Sequence, residues 1–396
     1  YSQNILAYDE GEVRMLEQNG EEYAFQFIRQ KISDIEITPA QLALDPCSAS
    51  CVITDVNTGE VLCLVTYPSY DNNKFSGTVD ADYYNKLNND LSLPLFNNAT
   101  QAQKAPGSTF KPIMAVAALE EGVIGLTDTV DCTGRYTEIT PNIRCWIYPG
   151  RHDELNVEQA IQNSCNVFFA EMAHRLSTDE NGNYSPERGI EMIRKYASMF
   201  GLDETTGIEI AENSPQMTTE NPESSAIGQG TNAYSNVQLS RYISAVANRG
   251  TVFKLSLLDK MTDSQGNLIE DFTPAVRSQI DIQDSTWNAV HTGMRRVISD
   301  GSASKIFNDL EVPIAGKTGT AEEVKNGHTI NHAFFVSFAP YDDPEIAVTL
   351  NIPYGYSSSN AATAAKNIYG FYYGYTDLDY ILNNSALSVS NVEIGD

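Results

Sequence analysis

Strand-like sequence stands near the two ends of this chain and helix-like sequence fills the middle, which limits the folds open to it. Near the start, "CVITDV" and "VLCLVTY" flank Asn57-Thr58-Gly59, a hairpin pattern with turn residues at its centre. From Val312 the strand pattern returns in "VPIAGKTGTAEE", "HAFFVSFAP" and "EIAVTLNIP", parted by the turn clusters Lys325-Asn326-Gly327 and Tyr341-Asp342-Asp343-Pro344. Between these ends, Thr109 to Glu121 is apolar almost all round, the pattern of a helix buried in a large core. Val157 to Leu176 and Ser235 to Asn248 read as amphipathic helices, and Gly250 stops the second. A last helix is expected over Ala361 to Tyr373. A sheet assembled from both ends of one domain, closed antiparallel and covered by helices, follows from this order: an α+β fold.

At 396 residues with 41% hydrophobic content, the chain can bury a large core. Its net charge of −27 argues against electrostatic binding of nucleic acid or of an anionic membrane surface. No run of about 18 apolar residues is present, so nothing here reads as a membrane span. The first residue is Tyr1 rather than Met, so the chain reads as trimmed or processed, and an N-terminal signal or anchor could have been removed without trace. Residues 1 to 45 are polar and charge-rich, with weak helical periodicity from Glu21 to Ile35 and a break at Pro39. They read as a linker or the remnant of an N-terminal module, with one large domain over 46–396. Residues 70 to 104 read as loop with short helical pieces.

Three short elements carry the chemistry. In "PGSTFKPI", Ser108 and Lys111 stand at i and i+3, so on a helix they share a face. Pro106-Gly107 puts the serine at the first turn, where unpaired N–H groups and the helix dipole favour developing negative charge. That suits a serine nucleophile whose proton passes to an amine. The same spacing recurs at Ser302 and Lys305 without such context. The second element, "NSCNVFF", places Ser164 and Asn166 inside a helical stretch, where both are poor helix formers, and suggests a helix boundary or a buried loop. The third, "GKTGTAE", carries Lys317, Thr318, Gly319 and Thr320 at the end of an apolar strand and occurs once.

The order S-x-x-K, S-x-N, K-T-G matches the active-site signature of the penicillin-recognising serine enzymes. Together with "SASCVITDVNTGEVLCLVTYPSYDNN", "AIGQGTNAYSNVQLSRYISAVANRG" and "HAFFVSFAPYDDPEIAV", these elements make residues 47 to 375 resemble the transpeptidase domain of monofunctional (class B) penicillin-binding proteins. The resemblance implies a five-stranded antiparallel sheet with helices on both faces, plus an all-helical subdomain. It implies a short remnant of a membrane-anchored pedestal before Cys47. It further implies a peptidoglycan D,D-transpeptidase acting on stem peptides that end in D-Ala-D-Ala. Ser108 would be the nucleophile and Lys111 the base, with Ser164 relaying the proton and Asn166 bonding Lys111 and the substrate amide. Lys317, Thr318 and Thr320 would hold the substrate carboxylate, and the N–H groups of Ser108 and Thr320 would bind the oxyanion. An ordinary lysine titrates near 10.4, so Lys111 must be made neutral by burial and by a nearby cation, for which Lys317 is the candidate. β-Lactams would acylate Ser108 and stay. Rival enzymes share the elements: a carboxypeptidase, a serine β-lactamase or β-lactam sensor, or a silent scaffold. The nearest counterpart of the deacylating glutamate in class A β-lactamases, Glu154-Leu155-Asn156, lies before Ser164, on the wrong side. The implied setting is the extracytoplasmic face of a bacterial membrane, anchored by an N-terminal helix absent from this chain, beside a glycosyltransferase partner.

The cysteines leave two readings open. Cys132, Cys145, His152 and Cys165 form C-x12-C-x6-H-x12-C, a set of three thiolates and an imidazole suited to structural zinc but lacking short C-x-x-C hooks. A Cys132–Cys145 disulfide is the alternative. The resemblance implies zinc held by these four beside the S-x-N element, since elongation-type class B members carry zinc there, with no cofactor for catalysis. Cys47, Cys51 and Cys63 read as small buried side chains near the hairpin. His174, His291, His328 and His332 read as ordinary packing or surface residues, and the tyrosines at 369, 372, 373 and 375 as a helix packing on the sheet.

Overall fold

A computed structural model describes residues 1–2, 5–34, 36–325 and 327–384. They form two compact units, residues 1–49 with 66–97, and residues 50–65 with the chain from 98 onward. The smaller unit thus draws on sequence beyond the hairpin as well as on the first 49 residues. Its long helix, Glu10–Ser33, begins well before the expected Glu21, because Asp9 caps it by accepting from the Glu12 N–H at 2.8 Å. Gly20 interrupts that helix with φ +69°, which hides the early turns from a periodicity reading. Ile35 lies outside the described residues, as does Asn326 of the expected Lys325-Asn326-Gly327 turn.

The larger unit is built on a five-stranded sheet. Its strands are β1 (Ala49–Asp55), β2 (Val61–Tyr67), β3 (Ala315–Lys325), β4 (His328–Ala339) and β5 (Ile346–Ile352), in the order β3-β4-β5-β1-β2. Strands from the start of the chain therefore complete a sheet whose other half comes from the end, as the sequence order implied. β1 pairs antiparallel with β5, with Thr54 opposite Ala347, and Ala347 stands opposite Phe338 of β4. β3 is an edge strand.

The helices that matter here are α1 (Lys111–Glu120), α2 (Val157–Gln162), α3 (Asn166–Leu176), α4 (Pro222–Ala226), α5 (Asn236–Ala247), α6 (Asp284–Ser299) and α7 (Ser358–Tyr372). Successive strand residues point to opposite faces, so neighbours on β4 report which helix covers which face. Ser337 Oγ lies 2.9 Å from Tyr369 Oη of α7, whereas the Phe338 ring sits 5.1 Å from His291 of α6. Thr54, on the Phe338 side by register, bonds Ser240 and Ser244 of α5. Helices α5 and α6 thus cover one face and α7 the other: the mixed α+β sandwich expected from the motifs.

Helix α1 runs through the middle of the larger core, with residues 111 to 118 all buried. Its all-round apolar pattern is what made it legible. One helix expectation is corrected. The stretch Val157 to Leu176 is two helices, parted at 163–165, because Ser164 takes a left-handed conformation (φ +52°) that no helix continues through.

Candidate active site

The serine of the first element sits in a single 3₁₀ turn, Gly107–Phe110, that leads into α1. The α-helix thus starts at Lys111 rather than Thr109. Gly107 has φ +54°, and a Cβ there would stand 2.7 Å from the Thr320 carbonyl oxygen, so glycine is required both for the turn and for the approach of β3. Thr109 Oγ1 donates to the Pro106 carbonyl (2.7 Å), and Tyr242 Oη donates to the Thr109 carbonyl (3.1 Å), pinning the turn from two sides. Ser108 and Lys111 then share a face, and Lys111 Nζ lies 2.9 Å from Ser108 Oγ.

The break between α2 and α3 supplies the second element. A left-handed serine costs about 1 kcal/mol, but the turn aims two groups of Ser164 at one lysine. Lys111 Nζ donates to the Ser164 carbonyl at 2.7 Å and lies 3.1 Å from its hydroxyl. It also donates to Asn166 Oδ1 at 2.7 Å, while Asn166 Nδ2 donates to the Arg144 carbonyl at 3.0 Å. Cys165 caps α3 with its sulfur, which accepts from the Phe168 N–H at 3.4 Å.

Edge strand β3 supplies the third. Lys317 Nζ donates to Ser164 Oγ at 2.8 Å and to the Thr318 carbonyl at 2.9 Å. A Cβ at Gly319 would stand 2.7 Å from Thr109 Cγ2, so the strand passes hard against the turn that carries Ser108. Lys111 and Lys317 are both wholly buried, and their ammonium groups meet at one hydroxyl. Ser108, Asn166 and Thr320 open onto a cleft of about 630 Å³, which Trp146, Arg144 and Glu322 also line.

Beneath the S-x-N turn lie the cysteines. The strand Val130–Cys132 pairs with Asp153–Leu155 and sets Cys132 opposite Asp153, which brings His152 alongside. His152 Nδ1 is 3.5 Å from both Cys132 Sγ and Cys145 Sγ, and Cys145 Sγ is 4.0 Å from Cys165 Sγ. All four ligand atoms lie within 4.8 Å of one another, and all six cysteines are free thiols, so the alternative Cys132–Cys145 bridge is not formed. Contact with Cys132, then with Cys165, holds the Cys145 thiol far below its usual range; burial, foremost, pushes Cys165 up. Burial opposes a charge on His152, yet the two sulfurs beside it outweigh burial and raise the imidazole to about 9.

Residues 49–370 match the family of the penicillin binding protein transpeptidase domain. The chain belongs to that family. Peptidoglycan D,D-transpeptidase MrdA of Haemophilus influenzae is 31% identical over 355 residues, covering 81% of this chain and 52% of that protein. MrdA of Escherichia coli K12 is 30% identical over 377 residues, covering 87% and 56%. The chain spans about half the length of these curated relatives. Among solved structures, Pseudomonas aeruginosa PBP2 in complex with WCK 5153 aligns with a TM-score of 0.70 at 28% identity, covering 82% of this chain and 73% of that one. A chain from a peptidoglycan synthase complex aligns with a TM-score of 0.74 at 27% identity, covering 84% and 56%.

Within this member of the family, the structure brings Ser108, Lys111, Ser164, Asn166 and Lys317 into one cluster. Thr318, Gly319 and Thr320 run along its edge. The second S-x-x-K pair does not stay wholly apart. Lys305 is exposed, but Ser302 Oγ lies 3.2 Å from Thr318 Oγ1, a contact that spacing could not reveal. Arg144, Trp146 and Glu322 also escaped the sequence reading, since no motif flags a cleft wall. His332 is buried and bonds Glu323 at 2.9 Å. Among the described residues, no helix is long and apolar enough to cross a membrane.

Proposed function

We propose that this chain is the catalytic domain of a peptidoglycan D,D-transpeptidase that works through a Ser108 acyl-enzyme. One observation carries the reading: three distant segments bring two hydroxyls, two buried ammonium groups and an asparagine into one hydrogen-bonded cluster, which opens onto a cleft at Ser108 and Asn166. Burial and the nearness of Lys317 both oppose a full charge on Lys111, which suits it to take the Ser108 proton. Ser108 Oγ would attack the carbonyl of the penultimate D-Ala, with the developing oxyanion held by the N–H groups of Ser108 and Thr320. As the C–N bond breaks, Ser164, touching both lysines, would pass the proton to the departing D-Ala amine. The amine of a neighbouring stem would then attack the ester, forming the cross-link and returning the proton to the serine. Edge strand β3 is placed to pair with the extended donor peptide, its threonines 318 and 320 meeting the terminal carboxylate.

The cysteine cluster supports a structural zinc. A tetrahedral zinc separates sulfur from sulfur by about 3.8 Å and sulfur from imidazole nitrogen by roughly 3.5 Å, against 4.0 and 3.5 Å here. Cys132, Cys145, His152 and Cys165 would hold it, and it would fix the segment 163–166 rather than take part in bond breaking. The setting we infer is the extracytoplasmic face of a bacterial membrane, tethered through sequence preceding this chain, with a glycosyltransferase as working partner.

Intact-mass spectrometry after benzylpenicillin, followed by peptide mapping, tests the reading. A single stable penicilloyl group on Ser108 is the expected outcome. Rapid turnover instead would mark a β-lactamase, which the exposed position of Glu154, away from the cleft lining, argues against. No adduct at all would mark a silent scaffold.

A further inference from the structure

The cleft contains an acidic position that the bond-breaking machinery does not use. Alternate residues of a strand share a face, so Glu322 follows Thr318 and Thr320 along the cleft side of β3, each about 6.6 Å beyond the last. Its carboxylate has no hydrogen bond or ion pair among the described residues. The next residue differs: Glu323, on the other face, is taken up by Lys104 at 2.6 Å and His332 at 2.9 Å. Directly across the ladder from Glu322 stands Asn331, which also lines the cleft, with a buried Oδ1 that has no hydrogen-bond partner among the described residues. This wall of the cleft thus pairs a carboxylate with an amide acceptor.

The direction of the donor peptide fixes which group meets them. With its terminal carboxylate at Thr318 and its scissile carbonyl at the Thr320 N–H, a paired peptide runs antiparallel to β3. The residue just before the D-Ala-D-Ala end then lies beside Glu322. Every stem that can serve as acceptor carries an amine, so a donor stem not yet cross-linked carries one too. An ammonium beside Glu322 lies a dipeptide step along the strand from Thr320, too far to be the attacking amine.

We propose that Glu322, assisted by Asn331, selects donor stems whose residue before D-Ala-D-Ala bears a free side-chain ammonium. This rests on the transpeptidase reading above. Penicillins offer the test, because their acyl side chain occupies the place of that preceding residue. Second-order rates of Ser108 acylation are compared for a penicillin carrying a 6-aminohexanoyl side chain and for its N-acetylated counterpart. The wild-type chain is expected to prefer the free amine by about fivefold. Glu322→Gln should bring the ratio close to one, and Glu322→Lys should invert it. Ratios are taken within each variant, so a general loss of activity cancels. Should a variant fail to fold, the wild-type ratio still decides. A wild-type ratio near one, or a preference that survives Glu322→Gln, overturns the assignment. Failure of benzylpenicillin to label wild-type Ser108 overturns the transpeptidase reading itself, and so is told apart from failure of this inference alone.

Discussion

Two buried polar clusters lie back to back on the segment 163–166, and they are held together differently. In the upper one, Ser108, Lys111, Ser164, Asn166 and Lys317 satisfy one another at 2.7–3.1 Å, ordinary hydrogen-bond distances. In the lower one, Cys132, Cys145, His152 and Cys165 converge at 3.5–4.0 Å, and His152 Nε2 is buried with no partner among the described residues. The first arrangement is complete with hydrogen bonds alone. The second has the spacing of ligands around a cation. The segment Ser164-Cys165-Asn166 belongs to both: Cys165 faces the lower cluster while its two neighbours face the upper one. Reactivity in the upper cluster and rigidity in the lower one are therefore separable in experiment.

The sharpest separation comes from the lysine. Lys111→Met keeps the apolar stem but removes the proposed proton acceptor, so benzylpenicillin acylation of Ser108 should fall by about 10³-fold or more, with zinc content unchanged. Acylation within tenfold of wild type would break the division of labour just described. His152→Ala tests the other side. Zinc, measured by elemental mass spectrometry, should be lost, and the melting temperature should fall by roughly 5–10 °C. Acylation should drop only about tenfold, because the Ser164 turn loses its brace but none of its hydrogen-bond partners. A zinc-free wild-type protein with full activity and undiminished melting temperature would remove the lower cluster from the account.

The upper cluster was legible because each member sits in a short element with fixed internal spacing, and the three elements follow one another in a known order. The sheet was legible because β-branched runs and turn residues mark both of its halves. What escaped depends on contacts between distant segments. Ser164 and Asn166, as poor helix formers, pointed to a boundary or a buried loop, but the apolar residues on either side keep the helical period, so the left-handed turn itself stayed hidden. The approach of Ser302 to Thr318 and the cleft-facing side of Glu322 are set by how the sheet edge meets the helical region, which periodicity cannot express. The convergence of Cys132 with His152 depends on the pairing of two three-residue strands, too short to leave a pattern in the sequence.

A third buried polar group belongs to neither cluster and sharpens the contrast by isolating burial. His291 of α6 is 6% exposed, and its Nε2–H donates to the Val246 carbonyl at 2.7 Å. Burial, foremost, with Arg249 adding to it, outweighs that hydrogen bond and lowers its pKa to about 4. The unfolded chain therefore takes up a proton here near pH 6.5, well before the folded one does. The stability that His291 contributes is full above pH 6.5 and is lost as pH falls toward 4. Between pH 7 and pH 5 this single group should remove about 2 kcal/mol. Urea unfolding midpoints of wild type and His291→Gln at both pH values check it: the variant should be less stable throughout but should lose less on acidification. Equal acid sensitivity in the two proteins would mean that the imidazole is solvated in the folded state, and that burial alone does not hold a histidine neutral in this core.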